Sequence, residues 1–151
     1  MENGYHLAQL NIGRTKASPD DPIMDGFMKR LDEINAIADR SPGFVWRLQT
    51  EDGNATSIHA FDDPLLLVNM SVWESIDEFR EFTYRSTHKE LLQQRADWFD
   101  RHEGPYQVMW WVPAGHIPSV EEAKERLETL IEHGPTPEAF TFRDRFAPPG
   151  A

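Results

Sequence analysis

Two neighbouring tryptophans, Trp110 and Trp111, place the strongest constraint on how this chain can fold. They lie in residues 106–113, a short apolar run that is typical of a β-strand. Because neighbouring side chains of a strand point to opposite faces, both faces of this strand need burial. One indole can lie under the chain's own helices. The other needs a second apolar surface, which a short chain most easily finds on a copy of itself. The pair therefore predicts a homodimer that associates through the open face of a sheet.

The composition limits the size and the partners of the protein. The chain has 151 residues, 39% hydrophobic and 11% aromatic, which is enough for one core, so we expect a single domain over residues 1–151. A formal net charge of −11 would repel nucleic acids and anionic lipid headgroups, so we expect neither a nucleic acid nor a membrane as partner. The sequence has no long apolar run, signal peptide or cysteine, which indicates a cytoplasmic protein.

Hydrophobic periodicity predicts alternating strands and helices. We expect strands over residues 5–12, 44–49, 65–73 and 106–113. Asp21 and Pro22 predict the start of the first helix. Its apolar stripe would consist of Ile23, Phe27, Leu31, Ile34 and Ala38.

Three capping boxes predict further helix starts, because a serine or threonine is followed three residues later by glutamate. They are Ser75 with Glu78, Thr87 with Glu90, and Ser119 with Glu122. The segment that begins at residue 87 is expected to run to about residue 99. The order β-α-β-β-α-β with an added C-terminal helix is the ferredoxin-like pattern, an α+β fold. Residues 143–151 end in Pro-Pro-Gly-Ala and are expected to form a loosely held tail.

Three stretches of the sequence carry a family resemblance: residues 71–79 (SVWESIDEF), 110–119 (WWVPAGHIPS) and 134–142 (GPTPEAFTF). With them the chain resembles, over nearly its whole length, a bacterial family of unknown function in the dimeric α/β-barrel superfamily. The resemblance implies a ferredoxin-like subunit that forms a dimeric barrel, distantly similar to antibiotic-biosynthesis monooxygenases. That superfamily includes cofactor-free monooxygenases, haem-binding and haem-degrading proteins, and small-molecule isomerases. The resemblance therefore indicates the fold more strongly than the function.

Polar residues on the predicted strands indicate a ligand site. If they face the same way as Trp73, they place amides and a hydroxyl on a surface of large apolar groups; they are Gln9, Asn11, Asn69 and Ser71. Buried amides need hydrogen-bond partners, either from a ligand or from each other, water or a partner chain. The functional interpretation is an aromatic pocket for a small apolar or aromatic molecule. Its further predicted lining residues are Trp73, Tyr84, Trp98 and Trp111, because a cavity in a dimer would expose the three tryptophans.

His88 and Arg95 are the candidate catalytic residues. His88 follows a predicted helix cap, where the positive end of the helix favours the neutral imidazole that can act as a base. Arg95 lies on an apolar stripe and can bind a carboxylate or a phenolate. The alternatives are a structural histidine bonded to a backbone carbonyl and an arginine paired with a surface acid. His116, in the loop after the last strand, is either a ligand-binding residue or a loop-shaping one.

These features predict a homodimer that binds a small planar molecule and works as a cofactor-free, monooxygenase-like enzyme. His88 would deprotonate a phenolic or enolic substrate. Asn11, Asn69 and Arg95 would then hold the anion while it reacts with dioxygen. Two alternatives stay open: a haem-binding protein with His88 as axial ligand, and a non-catalytic metabolite-binding or sensor protein. We expect no metal site, since the sequence contains no motif for one, and it contains no glycine-rich phosphate loop or nucleophile elbow.

Overall fold

In the part of the chain that the structure describes, four strands and three α-helices follow one another in the predicted order. A computed structural model of the chain describes residues 4–18, 21–49, 65–86 and 106–149, with the backbone alone at residues 84–86. The strands are β1 (Tyr5–Arg14), β2 (Phe44–Arg47), β3 (Leu66–Trp73) and β4 (Gln107–Pro113), and the helices are α1 (Asp25–Asp39), α2 (Ile76–Ser86) and α3 (Val120–His133). The helix predicted over residues 87–99 lies outside the described residues. None of the helices within these ranges has an apolar stretch of the length that a bilayer requires.

The four strands form one antiparallel sheet in the order β2-β3-β1-β4. The central strand β1 pairs Gln9 with Ser71 of β3 on one side and with Met109 of β4 on the other. This is the strand order of the ferredoxin-like α+β fold, which confirms the predicted fold class.

α1 and α2 pack on the sheet face that carries Leu7 and Gln9, which we call the α1/α2 face. Ala38 of α1 and Phe79 of α2 are buried there against Trp73. Aromatic rings dominate this cluster: Trp73 stacks on Phe82 with 4.9 Å between ring centroids. The partly buried members of the cluster are Phe44, Ile76, Phe82, Trp111, Phe142 and Phe146.

α3 packs on the opposite face of the sheet, which carries Ala8 and Leu10 and which we call the α3 face. Leu127 and Leu130 of α3 are buried in one cluster with Trp110 of β4. Trp110 is 0% exposed and is therefore enclosed by its own chain. This differs from the expectation that one of the two indoles needs a partner chain. The C-terminal helix supplies the second apolar surface, so the tryptophan pair by itself does not require a dimer.

The first helix starts at the predicted cap, but the buried residue of its first turn differs from the predicted one. Asp21 accepts a hydrogen bond from the backbone N–H of Ile23 at 3.0 Å, and Pro22 follows it as predicted. These residues open a 3₁₀ turn over Pro22–Met24, and α1 begins only after it. A 3₁₀ helix has 3.0 residues per turn, whereas an α-helix has 3.6. The first residue that faces the core is therefore one position later than the predicted stripe implies. Met24 is consequently buried, whereas Ile23 of the predicted stripe is exposed.

The C-terminal segment is attached to β4, the edge strand of the sheet. Phe140 exchanges two backbone hydrogen bonds with Met109, at 2.8 and 2.9 Å. Further along, Phe146 packs against Phe140, and its carbonyl accepts a hydrogen bond of 2.9 Å from Nε1 of Trp111. Within the predicted loose tail, Phe146 therefore contacts β4, because the indole N–H of a half-buried tryptophan needs an acceptor.

Candidate functional site

A group of polar side chains lies on the α1/α2 face in the middle of the sheet. Gln9 of β1 is directly opposite Ser71 of β3, and Asn11 is directly opposite Asn69. Directly opposed residues of antiparallel strands share a face, and so do alternate residues along each strand. The four polar residues therefore form one patch, next to Trp73. We call these four residues the amide network.

Gln9 is the centre of the amide network. Its Nε2 donates to Oδ1 of Asn69 at 2.9 Å and to Oγ of Ser71 at 2.8 Å. Its Oε1 accepts a hydrogen bond of 3.1 Å from Nδ2 of Asn11. The side chain is 1% exposed and both of its N–H groups are used. Gln9 therefore holds its neighbours in place rather than offering a group to a ligand.

Trp73 connects the amide network to the aromatic cluster. Its Nε1 donates to Oγ of Ser71 at 2.9 Å, and its ring meets Phe44 edge to face at a centroid distance of 5.4 Å. The ring is 0% exposed, whereas we expected a cavity to expose it. The chain's own aromatic residues cover the indole, so its contribution to the site is to fix Ser71.

Asn69 and Asn11 carry the groups that the amide network leaves unpaired. Oδ1 of Asn69 accepts from both Gln9 and Asn11, at 2.9 and 3.2 Å. The amide nitrogen of Asn69 is therefore turned away from the network, and it donates to no other described residue. Asn11 uses its amide nitrogen on Gln9 and Asn69, and its Oδ1 is likewise unpaired among the described residues. A ligand would thus meet one amide donor and one carbonyl acceptor, side by side and without charge.

Arg47 of β2 also lies on the α1/α2 face, although nothing in the sequence indicated it. It is opposite Ser71, and its Nε and Nη2 donate to the carboxylate of Asp39 in α1 at 2.8 and 3.2 Å. A β-bulge between Phe44 and Trp46 puts it there. Strict alternation from Phe44 would have turned Arg47 to the α3 face.

Asn35 of α1 is a second residue that the sequence reasoning missed. It is 7% exposed and lies one turn before Ala38, on the side of α1 that packs against the sheet. Its amide makes no hydrogen bond to another described residue. The available signal was a polar residue inside the apolar stripe, between Leu31 and Ala38.

His116 is on the other side of the sheet from the amide network. Its Nε2 lies 2.8 Å from Oε1 of Glu122, whose Oε2 accepts a hydrogen bond of 2.8 Å from Nε1 of Trp110. Since Trp110 belongs to the α3 face, the structure separates His116 from the site in which we had placed it. In the described part of the chain, no three histidine or acidic side chains come close enough to hold a metal ion.

Five predicted site residues remain, and the structure describes the side chain of one of them, Trp111. Trp111 lies on the α1/α2 face, half-buried, with its N–H bonded to the C-terminal segment. Tyr84 lies in α2, where the backbone alone is described. His88, Arg95 and Trp98 lie outside the described residues. Their roles as base, anion partner, haem ligand or pocket lining stay predictions.

Comparison with known proteins identifies a family and several solved structures. A family model described as a domain of unknown function (DUF3291) matches residues 6–151. No curated protein matches the chain in sequence.

The similar solved structures share little sequence with the chain. A conserved protein from Methanosarcina mazei Go1 is 10% identical with a TM-score of 0.48, over 74% of this chain and 95% of that one. SnoaB, a cofactor-independent oxygenase from Streptomyces nogalater, is 17% identical with a TM-score of 0.40, over 74% and 95%. A candidate antibiotic biosynthesis monooxygenase from Nitrosomonas europaea is 13% identical with a TM-score of 0.44, over 77% and 95%. At these identities the likeness concerns the fold alone.

Proposed function

The chain belongs to this family of unknown function, DUF3291, and from its site we propose that it binds a small planar phenolic or enolic molecule and oxidises it as a cofactor-free, monooxygenase-like enzyme. One observation carries the proposal. The oxygen of the Asn69 amide is held by two donors, so its N–H groups are turned outward without a partner in the described part of the chain. Fixed N–H donors of this kind stabilise an oxygen anion that develops during a reaction.

The surroundings of Asn69 suit such a substrate. Gln9 fixes Asn69 and Ser71 before any ligand arrives, so the donors need no rearrangement during the reaction. Trp73 and the aromatic cluster adjoin the amide network and make its surroundings apolar. Sites for small planar molecules combine apolar walls with a few oriented polar groups in this way.

The reaction can be written for 1-naphthol as a test substrate. A base removes the hydroxyl proton, and the naphtholate adds dioxygen at C4. The resulting hydroperoxide loses water, which gives 1,4-naphthoquinone. One oxygen atom of dioxygen stays in the quinone and the other leaves in water, while the substrate supplies all four electrons. Asn69 would hold the naphtholate oxygen, and His88 stays the predicted base.

The test compares the wild-type protein with Asn69→Asp, in dioxygen uptake and quinone formation. The aspartate keeps an oxygen where Gln9 and Asn11 donate, but it replaces the outward N–H groups with a second oxygen. We expect turnover to fall by about 100-fold or more, since an oxyanion donor is lost. Affinity for neutral 1-naphthol should change by less than roughly tenfold, because a carboxylate accepts a hydrogen bond from the hydroxyl group.

Thr129→Ala serves as the control, since this α3 hydroxyl donates to the backbone of Glu125, far from the amide network. It should leave turnover and affinity unchanged. Equal turnover of the wild-type protein and Asn69→Asp would contradict the role of Asn69 in holding the anion.

A second candidate function is binding without turnover, as a metabolite sensor. The histidines that the structure describes are His6, His116 and His133, and none of them lies on the α1/α2 face. The described part of the site therefore offers binding groups but no imidazole base. A sensor predicts that 1-naphthol raises the melting temperature without any uptake of dioxygen. Uptake that depends on Asn69 would instead identify the enzyme.

We further propose that the protein acts in the cytoplasm as a homodimer. On the α3 face, Trp46 and Leu48 of the β2 region are only partly buried, and a partner chain would cover them. Light scattering at micromolar concentration should give the mass of two chains, whereas the mass of one chain would contradict the dimer.

A further inference from the structure

Asn35 is a buried amide without a hydrogen-bond partner among the described residues, and we propose that it binds a second oxygen atom of the ligand. Its side chain lies in α1 and is 7% exposed. Buried amides in native proteins bond to protein, water or ligand, because an unmet amide destabilises the fold. The inference rests on the proposed function, since it specifies the class of substrate that the amide network takes.

Chain geometry places Asn35 above the amide network. α1 leads from the end of β1 back to the start of β2, where Phe44 lies level with Trp73 and Leu7. Ala38, near the end of α1, packs in the cluster of Trp73 and Leu7. Asn35 lies one turn earlier, about 5 Å back along the helix. Gln9 and Ser71 form the next opposed pair on this sheet face, about 7 Å from Leu7 and Trp73 along the strands. Asn35 is therefore close to the level of Gln9 and Ser71.

A second contact fixes α1 at this level. Asp39 holds Arg47 through two hydrogen bonds, and Arg47 is opposite Ser71 in the sheet. Asn35 precedes Asp39 by four residues, so the two side chains are neighbours on the same side of α1. This contact therefore ties the side of α1 that carries Asn35 and Asp39 to Arg47, which is opposite Ser71.

The Asn35 amide is also not completely enclosed. Among the described residues, Nδ1 of His6 is the only side-chain nitrogen or oxygen that is both fully enclosed and unpaired. The unpaired amide atoms of Asn35 consequently retain some accessible surface. A polar group that is mostly buried, unpaired in the protein and not completely enclosed is suited to orient a ligand.

The two sets of polar groups define the substrate class. Asn69 and Asn11 lie on the sheet, and Asn35 lies on the helix above it. A planar molecule with oxygen at one edge would bond the amide network alone. One with oxygen atoms at two opposite edges would bond Asn35 as well. We therefore assign the site to fused-ring phenols that carry hydrogen-bonding oxygen atoms on opposite edges.

Two matched probes test this assignment: 1,5-dihydroxynaphthalene, with hydroxyl groups on opposite edges, and 1-naphthol, which lacks the second one. We expect the wild-type protein to bind the dihydroxy probe about fivefold to tenfold more tightly, the value of one good hydrogen bond. In Asn35→Leu, which has a similar volume, this preference should disappear while the affinity for 1-naphthol stays within about twofold. Fluorescence titration measures both affinities.

A readout without any substitution covers the case in which Asn35→Leu fails to fold. In the wild-type protein, the side-chain amide signals of Asn35 in a ¹H–¹⁵N spectrum should shift further with 1,5-dihydroxynaphthalene than with 1-naphthol, because both probes carry the same ring and only the first bonds the amide. Equal affinity for the two probes, equal shifts of the Asn35 signals or a preference retained in Asn35→Leu would overturn the assignment and leave the proposed function standing. Failure of both probes to bind would overturn the proposed function, and the assignment with it.

Discussion

Gln9 and Ser71 face each other across β1 and β3, and the Gln9 amide donates to the Ser71 hydroxyl oxygen at 2.8 Å. The same oxygen accepts the indole N–H of Trp73 at 2.9 Å. The pair thus joins a polar network to an aromatic core in which both side chains are buried. Each bond depends on the position of the others, so loss of the central residue leaves several groups unpaired at once.

Gln9→Leu should lower the free energy of unfolding by about 2–3 kcal/mol, because Asn11, Asn69 and Ser71 each lose a partner. Urea denaturation followed by circular dichroism measures the loss. Gln107→Leu is the matched control, since Gln107 is a half-buried amide on the same sheet face, opposite Asn11. Its loss should stay below about 1 kcal/mol. Similar losses for the two variants would mean that the network adds nothing beyond ordinary amide burial.

Asn35→Leu should leave the free energy of unfolding of the ligand-free protein unchanged or raise it by up to about 1 kcal/mol. The physical reason is that an apolar side chain of similar volume replaces a buried amide that lacks a protein partner. The same urea titration measures the effect. A loss as large as that of Gln9→Leu would show that the Asn35 amide is paired within the fold. A gain in stability that accompanies a loss of ligand preference is the pattern expected of a binding residue.

Local rules of sequence account for much of this fold and for part of the site. The strands and most helix starts follow from short-range periodicity and caps, as at Ser75, whose hydroxyl bonds both the backbone and the side chain of Glu78. Alternation along β1 and β3 was enough to suggest that Gln9 and Ser71 share a face. These features depend on neighbours in sequence or on the simple period of a strand.

The features that escaped prediction depend on tertiary packing. The bulge in β2 turns Arg47 toward Ser71, and no residue near Phe44 specifies a bulge. The amphipathic pattern of α3 indicates that one side is buried, but not against which face of the sheet. α3 packs on the face that carries Trp110, because this indole needs an apolar surface against it and a hydrogen-bond acceptor for its N–H. Asn35 was missed because the sequence does not show whether a polar residue within an apolar stripe is buried or has a hydrogen-bond partner.

Glu122→Ala should lower the free energy of unfolding by about 1–3 kcal/mol. In the capping box that we predicted, this glutamate would reach back to the backbone of Ser119. Its carboxylate instead accepts the N–H of the fully buried Trp110 and contacts His116, while Ser119 caps the helix through the backbone N–H of Glu122. Removal of the carboxylate leaves a buried indole donor unpaired. Thermal and urea denaturation measure the loss.

Glu121→Ala is the matched control for Glu122, because Glu121 occupies the same first turn of α3 but is exposed. Both variants remove one negative charge near the helix N-terminus, which is worth about 0.3–1 kcal/mol. The difference between the two variants isolates the bond to Trp110. Equal losses of unfolding free energy in the two variants would mean that a water molecule accepts the indole N–H of Trp110 when the carboxylate is absent.

Gly43→Ala should lower the free energy of unfolding by about 2–4 kcal/mol for two separable reasons. The residue has a φ of +81°, and a Cβ atom there would run into the carboxylate of Glu78, which the Ser75 hydroxyl holds through a hydrogen bond of 3.0 Å. Gly115→Ala tests the backbone alone, since its φ is +94° and, apart from its two chain neighbours, no residue lies within 4 Å of the added Cβ. Its free energy of unfolding should fall by about 1–2 kcal/mol. In a double-mutant cycle measured by urea denaturation, Glu78→Ala should reduce the effect of Gly43→Ala to that of Gly115→Ala. If the losses of Gly43→Ala and Glu78→Ala are additive, the glutamate side chain moves away from the added Cβ. The left-handed backbone conformation is then the one reason why this position needs a glycine.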